Sequence, residues 1–259
     1  MTAPSGPLQI SSRDNPLLQR LRKLAQDPAA YRKLGEIWLE GEHLCSAFVA
    51  RGGTPAQAVI TDSGWQDGTL RAIAQRAAKV AIVPDALFKG VSSLESAASI
   101  GFVLHRPAEG IVERKTATVV LDRLQDAGNV GSILRSASAL GVRQVIALKG
   151  TAALWSPKVL RAGMGAHFAL HLVEGVDASV LELDVPLVAT SSHAEELVNA
   201  AALPSPCAWV FGHEGRGVDG SLMKRCTLTV RIPQPGGEES LNVAAAAAVC
   251  LYESSRQRG

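Results

Sequence analysis

At 259 residues, 47% hydrophobic and 19% charged, the chain has the composition of a globular protein and the length for one large or two small domains. With 26 Lys/Arg against 24 Asp/Glu the net charge is only +2, which excludes a chain-wide basic field for nucleic acid. Four scattered cysteines with no C-x-x-C pair and no zinc-type Cys/His spacing read as buried thiols of a reducing cytoplasm, and no segment has signal-peptide or transmembrane character, so a cytoplasmic protein without a metal site or membrane span is expected.

Charge is nevertheless uneven. Residues 1–33 hold Arg13, Arg20, Arg22, Lys23, Arg32 and Lys33 against Asp14 and Asp27, the main basic cluster. Asn15-Pro16 starts a turn, and Leu17, Leu18, Leu21 and Leu24 then recur at helical spacing, predicting an amphipathic basic helix. Strands are predicted at Ile37–Leu39, Ala58–Thr61, Val80–Val83 and Gly101–Leu104, with a turn at Glu40-Gly41, a helix ending near Gly52-Gly53 and another over Thr69–Ala78. This α/β unit occupies residues 1–107, and the polar stretch 108–116 is the best linker candidate. A second alternation follows over 117–259, with strands at Ala117–Asp122, Gln144–Leu148, His167–Val173, Pro186–Thr190, Ala208–Phe211 and Leu228–Ile232. Short apolar strands interleaved with helices imply an α/β domain with a mostly parallel sheet buried on both faces.

Three stretches carry candidate chemistry. In Asp122–Val142 a strand end, a Gly-Asn-Val-Gly turn and a helix follow one another; Val130, Ile133, Leu134, Ala137 and Leu140 form the apolar stripe, leaving Arg135 on another face. Arg135 is open to two readings, a cleft residue or a surface charge, and Asn129 likewise reads as a functional amide or a turn cap. In Trp209–Asp219 an apolar strand runs into Gly212, Gly215 and Gly217 around Glu214, where backbone must approach something closely. It matches neither G-x-G-x-x-G nor a Walker A sequence, which disfavours an enzyme of the common nucleotide-binding kinds. In Ile232–Tyr252 a Pro/Gly loop with Gly236 and Gly237 and a Ser-Leu-Asn corner lead into five consecutive alanines, Ala244–Ala248. The ten uncharged residues Val243–Tyr252 predict a helix without a polar face, buried against protein, with Ser240 as its N-cap. Local physics alone leaves the corner open as a ligand site or as the entry to a core helix.

Taken together the three are more specific. Asn129-Val-Gly131 with Arg135, then Phe211-Gly-His-Glu214-Gly-Arg-Gly217, then Ile232-Pro with Ser240-Leu-Asn242-Val, in this order and spacing, resemble the three motifs of the SpoU/TrmH family of RNA 2′-O-ribose methyltransferases, in the SPOUT superfamily. The resemblance covers roughly Val119 to Glu253. The first third is similar to the family's N-terminal substrate-binding domain through Ser11-Ser-Arg-Asp-Asn15-Pro, Tyr31-Arg and Leu39-Glu-Gly41, and departs at Ala97–Ile100, which reads Ala-Ala-Ser-Ile where Pro-Gln-Gly is expected.

The resemblance implies a trefoil-knotted α/β domain, a homodimer, S-adenosylmethionine bound at the knot, and RNA as substrate. Ribosomal RNA is the first expectation and transfer RNA the second; a non-catalytic RNA-binding protein is the alternative from another class. By the same resemblance Thr190, Gly212, Ile232, Leu241 and Asn242 hold the cofactor, largely through backbone groups, and Asn129, Arg135, Glu214, Ser240 and Asn242 are the catalytic set. Arg13, Asn15, Arg20, Arg22, Lys23 and Arg32 are the candidate RNA contacts. A guanidinium with a pKa above ~12 favours electrostatic stabilisation of a developing alkoxide over general-base action for Arg135. With 4% aromatic residues, recognition is expected to rest on basic side chains and RNA shape.

Overall fold

A computed structural model describes residues 6–92, 94, 96, 98–236 and 241–258; Ala97, Gly237 and Ser240 lie outside the described residues. The chain divides into two compact units, residues 1–107 with Trp155–Arg161, and residues 108–154 with 162–259.

The first unit contains β1 (Leu8–Gln9), α1 (Pro16–Gln26), α2 (Ala30–Leu34), β2 (Glu36–Glu40), α3 (Glu42–Ala50), β3 (Gln57–Thr61), α4 (Asp62–Gln66), α5 (Gly68–Ala74), β4 (Val80–Val83), α6 (Asp85–Lys89) and β5 (Ile100–His105). Its sheet runs β1-β4-β3-β5-β2, with β5 antiparallel to both neighbours and the remaining pairs parallel. Helix α1 starts where the sequence signals: Pro16 is its first residue and the Asn15 carboxamide accepts the Leu17 amide hydrogen at 2.9 Å. Leu17, Leu18, Leu21 and Leu24 are its buried stripe. Gly101 on β5 is required by packing, because a Cβ there would lie 2.1 Å from the Trp38 indole.

The second unit contains β6 (Thr118–Asp122), α7 (Ala127–Ala139), β7 (Gln144–Leu148), β8 (His171–Val176), β9 (Leu187–Thr190), β10 (Ala208–Gly212), α9 (Gly220–Met223), β11 (Leu228–Val230) and α10 (Val243–Arg258), while most of α8 (Pro157–Gly163) belongs to the Trp155–Arg161 segment of the first. All neighbours in its sheet, ordered β11-β9-β10-β6-β7-β8, are parallel. Every residue of β6 and β7 is buried, as apolar runs covered on both faces require. Residues 108–116 are fastened to this unit: the Glu113 amide donates to the buried Gln144 side chain at 2.7 Å, and Arg114 pairs with Glu182 and Asp184.

Three elements differ from expectation. The helix expected over Thr69–Ala78 ends at Ala74. The strand expected from His167 begins at His171, because Gly165 (φ 85) opens a 3-10 turn over Ala166–Ala169 that buries His167. An apolar run reads alike in a buried turn and in a strand. Helix α10 is not buried all round either: Ala247, Cys250, Leu251 and Glu253 are buried, while Val249 and Tyr252 are 41% and 60% exposed. Its buried side meets α7, and the two run parallel, Asn242 bonding Asn129 near both starts and Arg258 donating to the Leu140 carbonyl at both ends.

His167 gives this unit a pH dependence. Burial lowers its pKa to about 4, partly offset by the 2.8 Å bond between Nε2 and the Leu154 carbonyl. Because the unfolded imidazole titrates near ~6.5, unfolded chains take up a proton that the native state refuses; stability is full above that pH and falls as pH drops toward 4, by roughly 2–4 kcal/mol. Urea unfolding between pH 7 and 4 should show this slope in the wild type and a shallower one in His167→Gln. Equal slopes would contradict the assignment.

Candidate active site

In a parallel sheet the crevice at the carboxyl ends of the strands, where the chain's direction across the sheet reverses, is where ligands sit. Here that place lies between β6 and β10: β7 follows β6 on one side, while β10 pairs with β6 on the other. The loops leaving both strand ends carry motif residues.

Helix α7 is capped by Asp126, whose carboxylate accepts the Asn129 amide hydrogen at 2.7 Å. Asn129 is therefore the third helical residue and not the cap, so its side chain is available. Its Nδ2 donates to Glu214 Oε1 at 3.3 Å, and its Oδ1 accepts from Asn242 Nδ2 at 3.0 Å. Asn242 Oδ1 in turn accepts the amide hydrogens of Ala244 and Ala245 at 2.9 and 3.2 Å, so Asn242 caps α10. A carboxylate at one end and backbone donors at the other leave each carboxamide one consistent orientation.

Glu214 closes this chain on α7, accepting the amides of Asp126 at 3.2 Å and Gln125 at 3.4 Å. Partial burial pushes its pKa up, but its own amide, the Asn129 side chain and the Asp126 and Gln125 amides outweigh that and hold it below the ordinary glutamate value. The Glu214 loop is a tight excursion in which the His213 carbonyl accepts from Gly217 at 2.8 Å and Gly217 takes a left-handed φ of 67. A Cβ on Gly212 would lie 2.1 Å from the Val218 nitrogen. What approaches Gly212 so closely is thus the loop's own backbone.

The profile of the SpoU rRNA Methylase family matches residues 116–252, more than half of the chain. The chain belongs to the SpoU rRNA methylase family. An uncharacterized tRNA/rRNA methyltransferase of Synechocystis is 32% identical over 96% of this chain and 94% of its own length. A 23S rRNA guanosine 2′-O-methyltransferase of Bacillus subtilis is 28% identical over 94% of this chain and 98% of that protein. Among solved structures, the SpoU methyltransferase AviRb of Streptomyces viridochromogenes in complex with AdoMet superposes with a TM-score of 0.83 at 26% identity, covering 94% and 98% of the two chains.

Other expected site residues of this SpoU chain fall in separate places. Thr190 ends β9, opposite Val230 in the ladder, and Gly212 ends the neighbouring strand β10. Ile232 is half-buried two residues beyond β11, and Leu241 is 41% exposed. Ser240 lies outside the described residues. Arg135 is exposed on the stripe with Gly128, Ser132 and Ala139, without a hydrogen bond or ion pair among the described residues. At 1.5 Å rise per residue it stands about 9 Å along α7 from Asn129, outside the Asn129–Glu214–Asn242 cluster.

Of the RNA candidates, Asn15 is spent on capping α1, Arg20 pairs with Glu36 at 2.7 Å, and Arg22 grips the Arg13 carbonyl through both terminal nitrogens at 3.0 and 3.1 Å. Arg32 lies over the Tyr31 ring at 5.3 Å; Arg13 and Lys23 are exposed. One group the motifs did not single out is Asp122, a buried carboxylate bonded to Arg123 and to the Asp219 amide. An acid ending the otherwise apolar strand Thr118–Asp122 was its signal in the sequence.

Gly212→Ala should force backbone apart and cost roughly 1–3 kcal/mol by overpacking. Thermal unfolding measures this, and a melt identical to wild type would contradict the close approach.

Proposed function

We propose that this chain transfers a methyl group from S-adenosylmethionine to a ribose 2′-hydroxyl of large-subunit ribosomal RNA, in the cytoplasm and as a homodimer. The observation that carries the reading is the convergence of Asn129, Glu214 and Asn242, one from each motif, at the β6/β10 crevice. The intact set disfavours a purely RNA-binding role, and the 23S rRNA enzyme among the relatives favours ribosomal over transfer RNA.

The residues fit the cofactor. Strand ends at Thr190 and Gly212 and the loop from Ile232 present backbone groups toward one edge of the sheet, and Gln234 Oε1 is a buried acceptor without a partner among the described residues, suited to a ligand amine or hydroxyl. Thr190, Gly212, Ile232 and Leu241 would hold S-adenosylmethionine, with Asn242 ordering the loop by capping α10. The bound cofactor supplies a methyl group on a positive sulfur, a leaving group already activated. Asn129 keeps one Nδ2 hydrogen and one Oδ1 lone pair beyond its two bonds, enough to orient a ribose hydroxyl. Glu214, ionised and held by several donors, fixes the start of α7. Arg135 acts as a positive charge beside the developing alkoxide once RNA lies along the exposed face of α7. Residues 117–259 carry the transfer and residues 1–107 dock RNA, with Arg13 and Lys23 exposed to phosphate and 108–116 joining the two. The trefoil knot implied by the resemblance belongs to the same reading.

Calorimetric titration with S-adenosylmethionine in excess chelator should give stoichiometric binding; no heat of binding would sink the reading. Arg135→Ala should leave stability and cofactor affinity at wild-type values and lower kcat by roughly 10²–10³, the loss expected when one transition-state stabiliser is removed. An unchanged kcat makes Arg135 a plain surface charge.

The dimer rests on the exposed apolar face of α10, with Ala245, Val249 and Tyr252 in one stripe. Light scattering at micromolar concentration should give the mass of two chains for wild type and one for Val249→Glu. A monomeric wild type contradicts the assembly.

A further inference from the structure

We propose that Asp122 is a positioning residue for methyl transfer, the fixed point from which the Asn129 helix and the Glu214 loop are both set; the proposal rests on the functional reading above. Asp122 is 2% exposed, and both its carboxylate oxygens are committed. Oδ1 takes the Arg123 Nε hydrogen at 2.8 Å, and Oδ2 takes Arg123 Nη2 at 2.9 Å and the Asp219 amide at 2.7 Å. Two loops are closed by these bonds. The excursion carrying Glu214 leaves the sheet at Gly212, the register partner of Asp122, and returns to the Asp122 carboxylate at Asp219. The other loop leaves Asp122 itself and enters α7 through Gln125 and Asp126, whose amides reach Glu214.

Arg123 shows how tightly the point is drawn. It adopts a left-handed φ of 59, uncommon for a side chain of its size, and is kept there by the two-pronged bond to Asp122, by its amide hydrogen on Thr151 Oγ1 at 3.1 Å, and by Asp219 Oδ2 at 3.7 Å from Nη1. Asp122 touches none of the reacting atoms. Its effect passes through Glu214, which stands between its two loops.

A double-mutant cycle reads that route. Asp122→Asn keeps the side chain's shape and loses the charge opposite Arg123. In steady-state methyl transfer to 23S rRNA we expect it to lower kcat about tenfold with KM for RNA within about twofold, and to change kcat by less than about twofold when made in Glu214→Gln protein, where the group it acts through is already altered. A tenfold loss in both backgrounds, as a general structural role would give, or no loss in either, overturns the proposal. Amide exchange at Gln125 and Asp126 separates this from the functional reading: it should quicken about tenfold in Asp122→Asn whichever substrate the protein uses. Unchanged exchange overturns the positioning role alone, and wild-type protein that transfers no methyl group overturns the functional reading alone. If Asp122→Asn does not fold, Arg123→Lys, which keeps the charge and loses the fork, enters the same cycle and the same exchange measurement with the same outcomes deciding.

Discussion

The hydrogen-bonded chain from Asn242 through Asn129 to Glu214 is the constraint on which the rest of the second unit depends. Its members lie 113 and 85 positions apart in sequence, and each ends or opens a different connection of the sheet. None of the three is deeply buried, so hydrophobic packing does not place them. What places them is complementarity: a carboxylate that only accepts, two carboxamides that accept and donate, and helix-start amides that only donate. Removing any one leaves a neighbour's donor or acceptor without its protein partner.

The sheet brings these loops together because its order reverses at β6. A wholly parallel arrangement sends every strand's carboxyl end to one edge, and the reversal opens a crevice there between the β6 and β10 connections. Helices α7 and α10 then lie parallel with their starts at that crevice, so the positive ends of both backbone dipoles face the same place. Glu214 answers α7 directly. That is a polar, preorganised setting suited to an RNA backbone and to charge developing on a hydroxyl oxygen.

Much of this was legible in the sequence. Apolar runs located most of the strands within a residue or two, the leucine spacing located α1, and the three motifs picked out Asn129, Glu214 and Asn242. The pairing among them was not legible, because side-chain contacts across 85 and 113 residues leave no local period. Ser and Asn are comparable N-caps by residue type, and Asn242, which stands directly before the first helical residue, caps α10. The alanine run announced burial, yet a helix apolar all round carries no mark of which face a single chain covers; Val249 and Tyr252 are left outside. Asp122 was passed over because an acid ending a strand resembles an ordinary turn residue until its partners are seen. Arg135 was singled out by resemblance, and the structure adds that it is exposed and stands apart from the cluster.

The transferred methyl group should end on a ribose oxygen. Wild-type protein can be incubated with 23S rRNA and methyl-labelled S-adenosylmethionine, and the nucleosides released by nuclease digestion analysed by mass spectrometry. A 2′-O-methylated nucleoside whose label fragments with the sugar is expected. A label that fragments with the base, or no incorporation into RNA, would contradict ribose methylation.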